Sequence, residues 1–209
     1  MNIRTILFDL DGTLIDTNEL ISASFAYTFE KYGLAFTDEE LLQFNGPPLV
    51  DTFRSFLPEQ VDEMVATYRK HNMDHHDMYV RAFPHVKSTL QTLQDKGVQI
   101  AVVTSKMHKV ARHGIEFTEL DPYVEHLIAL DDVDNAKPHP ESLIKAMELL
   151  DADPKTTLMV GDNYQDIEAG HNAGIRTAGV EWSHKGKEFL ETYKPTYMLA
   201  DMRDLLELI

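Results

Sequence analysis

The chain has 209 residues, 43% of them hydrophobic, and sets 19 Lys plus Arg against 35 Asp plus Glu for a formal net charge of −16. That length suits one large domain or a core with a smaller insertion, and the apolar content excludes a disordered chain. The acidic balance argues against nucleic acid and an anionic membrane surface as partners, and the absence of cysteine removes disulfides, thiol catalysis and Cys-rich zinc sites. A small anion stays compatible, because a bound metal reverses the local sign of charge. The start, "MNIRTILFDLD", turns acidic before a signal-peptide core forms, and no apolar run approaches the roughly 20 residues that span a bilayer. A cytoplasmic location is expected.

The first strand pattern is "TILFDL" (5–10), which gives out at Asp9 and Asp11 and is followed by Gly12 and Thr13. From Asp16 to Phe83 the pattern is helical only: "NELISASFAYTFEKYG", "TDEELLQF", "PLVDTFRSFL" and "PEQVDEMVATYRKHNMDHHDMY". That is too long for an ordinary connection. It reads as a helical cap domain inserted over residues 16–81, a candidate lid and specificity element above the acidic strand end. The core, residues 1–15 and 82–209, resumes with a helix in "PHVKSTLQTLQDKG" (84–97) and a strand in "VQIAVVTS" (98–105), which delivers Thr104, Ser105 and Lys106. A strand in "EHLIAL" (125–130) leads to "AKPHP" with Lys137, and a helix in "HPESLIKAMELLD" (139–151) follows. The strand "TLMVGD" (157–162) ends at Gly161 and Asp162, with Asp166 one helical turn on in "YQDIEAGHNAG" (164–174), before a weaker strand in "RTAGV" (176–180). The apolar runs are continuous rather than alternating, as in parallel strands covered on both faces. Strand and helix in alternation predict an α/β fold: a doubly wound, Rossmann-like parallel sheet.

In such sheets ligands sit beyond the carboxyl ends of the strands. Gathered there, three or four carboxylates make a hard oxygen site suited to Mg²⁺. A Ser/Thr hydroxyl, a lysine and helix N-termini are groups that hold phosphate oxygens. With metal and phosphate present, Asp9 is placed to act as a nucleophile on phosphorus and Asp11 as the proton carrier. The bland alternatives are a turn for Asp9-Leu-Asp-Gly, helix capping for Thr104 and Ser105, and a surface lysine for Lys137.

"DLDGT", "VVTS", "AKPHP" and "VGDNYQDI" resemble, in order, the four motifs of the haloacid dehalogenase-like hydrolases. The resemblance covers the whole chain, the helical cap included. It implies Asp9 as nucleophile, Asp11 as acid/base, and Mg²⁺ on Asp9, Asp162 and the Asp11 backbone carbonyl with Asp166 supporting. Thr104 and Lys137 are implied as phosphate ligands. "FNGPP", "LDDVDNAKPHPE", "NAGIRTAGVEW" and "PTYMLADMRDLLE" are further similar to the PpaX-type inorganic pyrophosphatases, a branch of the phosphoglycolate-phosphatase-like group. That branch implies inorganic pyrophosphate as substrate, with phosphoglycolate or a sugar phosphate as alternatives, and the chain is expected to act as monomer or dimer.

Residue type and position add Asn45, Arg54 and Lys106 as substrate contacts, and "FNGPP" (44–48) as a rigid loop. His71 and His75 share a helix face but read as the solvated end of a cap helix, together with His76. Trp182 reads as packing. A receiver-type phosphoacceptor module is the rival from another class, and the inserted cap and the poised Asp11 stand against it.

Overall fold

The computed structural model describes residues 2–45 and 47–209. The chain divides into two compact units, Met1–Asp16 with Arg81–Ile209, and Thr17–Val80. β1 (Thr5–Phe8) and β2 (Ile15–Asp16) come first. The second unit holds α1 (Asn18–Lys31), α2 (Asp38–Gln43), α3 (Leu49–Arg54) and α4 (Val61–Tyr79). The chain returns through β3 (Arg81–Ala82), then α5 (Val86–Asp95), β4 (Gln99–Val103), α6 (His108–Phe117) and β5 (His126–Ile128). It finishes with α7 (Glu141–Leu150), β6 (Thr157–Gly161), α8 (Tyr164–Asn172), β7 (Arg176–Val180), α9 (Lys187–Glu191) and β8 (Tyr197–Leu199).

Six strands form one parallel sheet in the order β5-β4-β1-β6-β7-β8. The apolar runs are continuous because both faces are covered: β1 and β6 are buried at every residue. On one face Leu7, Ala101, Val103 and Met159 meet Leu143, Ala146, Met147 and Leu150 of α7 and Ala169 of α8. The register aligns Phe8 with Val102 and Val160. Asp9, one residue on, therefore emerges level with the last residues of β4 and β6.

The sheet has one strand more than the sequence predicts. β8 has three residues, two of them only partly buried, at the sheet edge, so it carries no continuous apolar run to be read. The strands expected over 98–105 and 125–130 stop early, at Val103 and Ile128, and leave Thr104 to Lys106 as loop. Where the chain leaves and rejoins this unit, β2 and β3 pair antiparallel, Ile15 with Ala82 and Asp16 with Arg81. The Phe83 N–H donates to the Leu14 carbonyl at 3.0 Å beside that ladder.

The helical unit is built on aromatic rings. Six of the ten phenylalanines (25, 29, 36, 44, 53 and 56) pack around one another, mostly edge-on or tilted and with Phe25 stacked on Phe29, and Phe29 touches all five others at centroid distances of 4.5 to 5.8 Å. A reciprocal cap starts α2: the Thr37 N–H donates to Glu40 Oε2 at 2.7 Å, and the Glu40 N–H to Thr37 Oγ1 at 3.4 Å. The histidine-rich end of α4 departs from expectation. Met64, Tyr68, Asn72 and His76 recur every four residues on the buried stripe, so His76 is 1% exposed rather than solvated. His71 and His75 lie beside that stripe, their rings stacked at 4.1 Å. In the loop expected to be rigid, Gly46 lies outside the described residues; Phe44 belongs to the aromatic cluster and Pro48 precedes α3. Among the described residues no helix is long and apolar enough to cross a membrane.

Because Phe29 touches all five other rings, Phe29→Ala should destabilise the helical unit by about 3–5 kcal/mol. Urea unfolding followed by near-ultraviolet circular dichroism measures this, and a loss below about 1 kcal/mol would mean that the cluster closes over the deletion.

Candidate active site

The carboxyl ends of β1 and β4 and the first turn of α8 converge on one lysine. Lys137, its side chain 4% exposed, donates to Asp9 Oδ1 at 2.6 Å, to Asp166 Oδ1 at 2.6 Å and to the Val103 carbonyl at 2.9 Å. An ammonium has three donors, and all three are committed. Asp9 is fixed from the other side by its own N–H, which donates to the Val160 carbonyl at 2.9 Å. Asp166 uses its second oxygen to cap α8, accepting the Asn163 N–H at 3.1 Å, while the Asn163 side chain accepts the Tyr164 N–H at 2.8 Å.

Two glycines permit the close approach. Gly12 has φ +80°, and a Cβ there would lie 2.3 Å from Asp162 Oδ2. A Cβ on Gly161 would lie 2.3 Å from Asp166 Cβ, Cγ and Oδ2. Asp9, Asp162 and Asp166, each at least nine-tenths buried, thereby offer carboxylate oxygens within 4.8 Å of one another.

Three carboxylates share one ammonium, and the charge is undercompensated. Burial, with the charges of Asp166 and Asp11, raises Asp9 to about 7 against the opposing pull of Lys137. Burial first, then Asp9 and Asp166, lifts Asp162 well above the usual carboxylate range. Lys137 is held above its ordinary value: burial alone would lower it, but Asp166 and Asp9 outweigh that. Groups that resist ionisation in this way gain most from a hard cation, so the donor set fits a divalent metal with oxygen ligands. Asp9 Oδ2 and the Asp162 carboxylate are the oxygens not engaged by Lys137 or the α8 cap.

Asp11 stands outside this buried group. Its side chain is 22% exposed, and Oδ1 accepts Lys106 Nζ at 2.5 Å. Lys106, expected to touch substrate, thus bridges the β4 loop to the β1 loop. Thr104 is 5% exposed; its Oγ1 accepts the Lys106 N–H at 3.2 Å, and its hydroxyl proton has no acceptor among the described residues. Ser105 beside it is exposed. Lys137, expected to take phosphate oxygens, holds protein acceptors with every donor. Asn45 and Arg54 belong to the helical unit, where Asn45 Nδ2 donates to Asn18 Oδ1 at 2.7 Å and Arg54 pairs with Asp51 at 3.1 Å on the exposed surface.

A sequence model of the haloacid dehalogenase-like hydrolases matches residues 6–180. The chain belongs to this family, and it is a hydrolase. It is 48% identical over 209 residues to a protein of Oceanobacillus iheyensis named pyrophosphatase PpaX, covering all of this chain and 98% of that one. It is 51% identical over 210 residues to the pyrophosphatase PpaX of Anoxybacillus flavithermus, again covering 100% and 98%. A haloacid dehalogenase-like family hydrolase from Streptococcus pneumoniae superposes with a TM-score of 0.88 at 25% identity, over 98% of this chain and 97% of that one.

One part of this hydrolase's site escapes a reading of strand ends and motifs, namely the loop after β7. Ser183 Oγ donates to the Asp162 carbonyl at 2.6 Å, and His184 Nδ1 lies 3.9 Å from Asp162 Oδ2. Burial, reinforced by Lys185, pushes His184 down to about 4, so the ring is neutral at pH 7. Trp182 packs on Phe83, as expected, and also donates Nε1–H to the Thr13 carbonyl at 3.3 Å. The available signal was position: "WSHKG" follows the carboxyl end of the strand next to β6.

Removing one member of a buried charge cluster leaves the others uncompensated. Lys137→Ala should therefore lower stability in a metal chelator by about 3 kcal/mol or more, read from the urea midpoint. A loss under about 1 kcal/mol would show that the ammonium does not hold the strand ends together.

Proposed function

We propose that this hydrolase is a Mg²⁺-dependent phosphohydrolase that works through an aspartyl phosphate on Asp9, with inorganic pyrophosphate as substrate. The observation that carries the mechanism is the Lys137 clamp: it fixes Asp9 by Oδ1 and leaves Oδ2 uncommitted, beside a second aspartate, Asp11, in a different environment.

The metal would be held by Asp9 and Asp162, with the Asp11 carbonyl and Asp166 in support, and when bound it supplies positive charge that offsets the clustered carboxylates and the phosphoryl oxygens. Asp9 Oδ2 attacks phosphorus, and the bond from phosphorus to the bridging oxygen breaks. Asp11 gives its proton to the departing phosphate. Asp11 then takes a proton from water as that water attacks phosphorus, the Asp9–phosphate bond breaks, and both aspartates are restored. Thr104 supports the phosphoryl group through its free hydroxyl proton. Lys137 keeps Asp9 oriented through Oδ1 and favours its ionised form before attack. An enzyme that only accepted the phosphoryl group, as a receiver module does, has no need of a second aspartate in this position.

The substrate reading rests on the two relatives named pyrophosphatase, which match this chain from end to end at 48% and 51% identity. Pyrophosphate should exceed phosphoglycolate in kcat/KM by at least about tenfold, or about 1.4 kcal/mol of transition-state discrimination, with one preparation at saturating Mg²⁺. The opposite order would remove pyrophosphate and leave the phosphohydrolase mechanism intact.

Asp9→Asn keeps the side-chain size but has no nucleophilic oxygen anion. It should cut turnover at least about a thousandfold while circular dichroism stays that of the unaltered protein. Asp11→Asn, which lacks the base for the second step, should retain phosphate on Asp9 after acid quench. Recovery of unlabelled Asp9 under those conditions would sink covalent catalysis.

A further inference from the structure

Lys106 and Lys137 stand at the carboxylate cluster with their charges committed to Asp11, Asp9 and Asp166. A third lysine, Lys185, is carried to the Asp162 corner by its loop, where the charge of Asp162 acts on it, yet its ammonium forms no hydrogen bond or ion pair among the described residues. It is half-buried, on the loop that joins β7 to α9. That loop is moulded onto the Asp162 corner. The Glu181 N–H donates to the Leu199 carbonyl at 2.9 Å, and Trp182 is tied to Thr13. Ser183 Oγ holds the Asp162 carbonyl at 2.6 Å and accepts the Lys185 N–H at 3.2 Å. The Gly186 N–H closes a turn on the Ser183 carbonyl at 3.0 Å.

A partly desolvated cation without a counter-ion costs stability, and the shift at Lys185 has that origin: burial lowers it below its ordinary value, and the nearby charge of Asp162 opposes the change only in part. Lys187, two residues on, shows the ordinary alternative, since it lies exposed and paired with Glu181 at 2.6 Å. A lysine held unpaired beside the metal-binding carboxylates lacks an anion, and a diphosphate brings one more anionic group than a phosphomonoester does. The transferred phosphoryl group has Asp9, Thr104 and the metal. The departing phosphate group has Asp11 as its proton donor but no cation of its own.

We infer that Lys185 is a substrate-binding residue that takes the departing phosphate group of a diphosphate substrate and so favours diphosphates over phosphomonoesters. The inference rests on the pyrophosphate reading above for its catalytic consequence, but binding tests it separately. Lys185→Gln should lower the ratio of kcat/KM for pyrophosphate to that for p-nitrophenyl phosphate at least tenfold, and Lys185→Arg should restore much of it. In titration calorimetry with Mg²⁺, Lys185→Gln should weaken methylenediphosphonate, which is not hydrolysed, at least tenfold more than inorganic phosphate. Parallel losses for the diphosphate and the single phosphate would assign Lys185 to the metal corner in general and overturn the inference, as would no loss. If the unaltered enzyme proves slow on pyrophosphate while methylenediphosphonate binding still depends on Lys185, the substrate reading fails and the diphosphate site stands.

Discussion

The site is organised by one buried ammonium. Lys137 binds the end of β1 through Asp9, the end of β4 through the Val103 carbonyl, and the first turn of α8 through Asp166. Each contact is a charge-assisted or carbonyl hydrogen bond in a place with little water, so losing the cation would leave acceptors and carboxylates exposed to one another. The parallel sheet determines that these groups meet, because its register brings three strand ends to one level. The lysine determines the distance at which they stand.

The same cluster explains how a chain of net charge −16 can serve an anionic substrate. Clustered carboxylates whose ionisation is resisted by burial and by each other form a strong demand for a small hard cation. Under the proposed mechanism a phosphoryl group would meet a metal and a hydroxyl proton rather than bare acid. Overall charge therefore says little about this substrate, since a field a few ångströms across decides its fate. The two aspartates of the first loop divide by environment: Asp9 is buried on Lys137, and Asp11 is more exposed on Lys106. Different surroundings are what allow two identical side chains to perform different tasks.

The helical unit follows another physical rule. Its residues bury phenylalanine rings in tilted and edge-on pairs, which fill volume without any polar atom to satisfy. That self-contained core explains how 64 residues from Thr17 to Val80 form a unit of their own within a Rossmann-like chain. The β2–β3 ladder, two residue pairs long, is where the sheet unit brings together the two points at which its chain is interrupted.

The sequence by itself determined the α/β class, the parallel sense of the strands, the helical insertion and the group of residues at the strand ends. All of these rest on local signals: continuous apolar runs, 3.6-residue periodicity, and acids or hydroxyls placed where a strand stops. The placement of Asp9, Asp11, Thr104, Lys137, Asp162 and Asp166 near the strand ends was legible for that reason. Tertiary structure alone decided which partner each group has. Lys137 and Asp9 are 128 residues apart in the chain, and Lys106 and Asp11 are 95 apart. No local pattern records such pairings, so the sequence names Lys106 and Lys137 but not the carboxylates they hold. β8 went unread because an edge strand of three residues makes no apolar run. The Ser183–Lys185 loop went unread because its chemistry exists only once β7 lies beside β6 and folds the loop against Asp162. Side-chain type is written in the sequence, whereas the burial and neighbours that set a side chain's charge and reach come into being only when distant segments pack together.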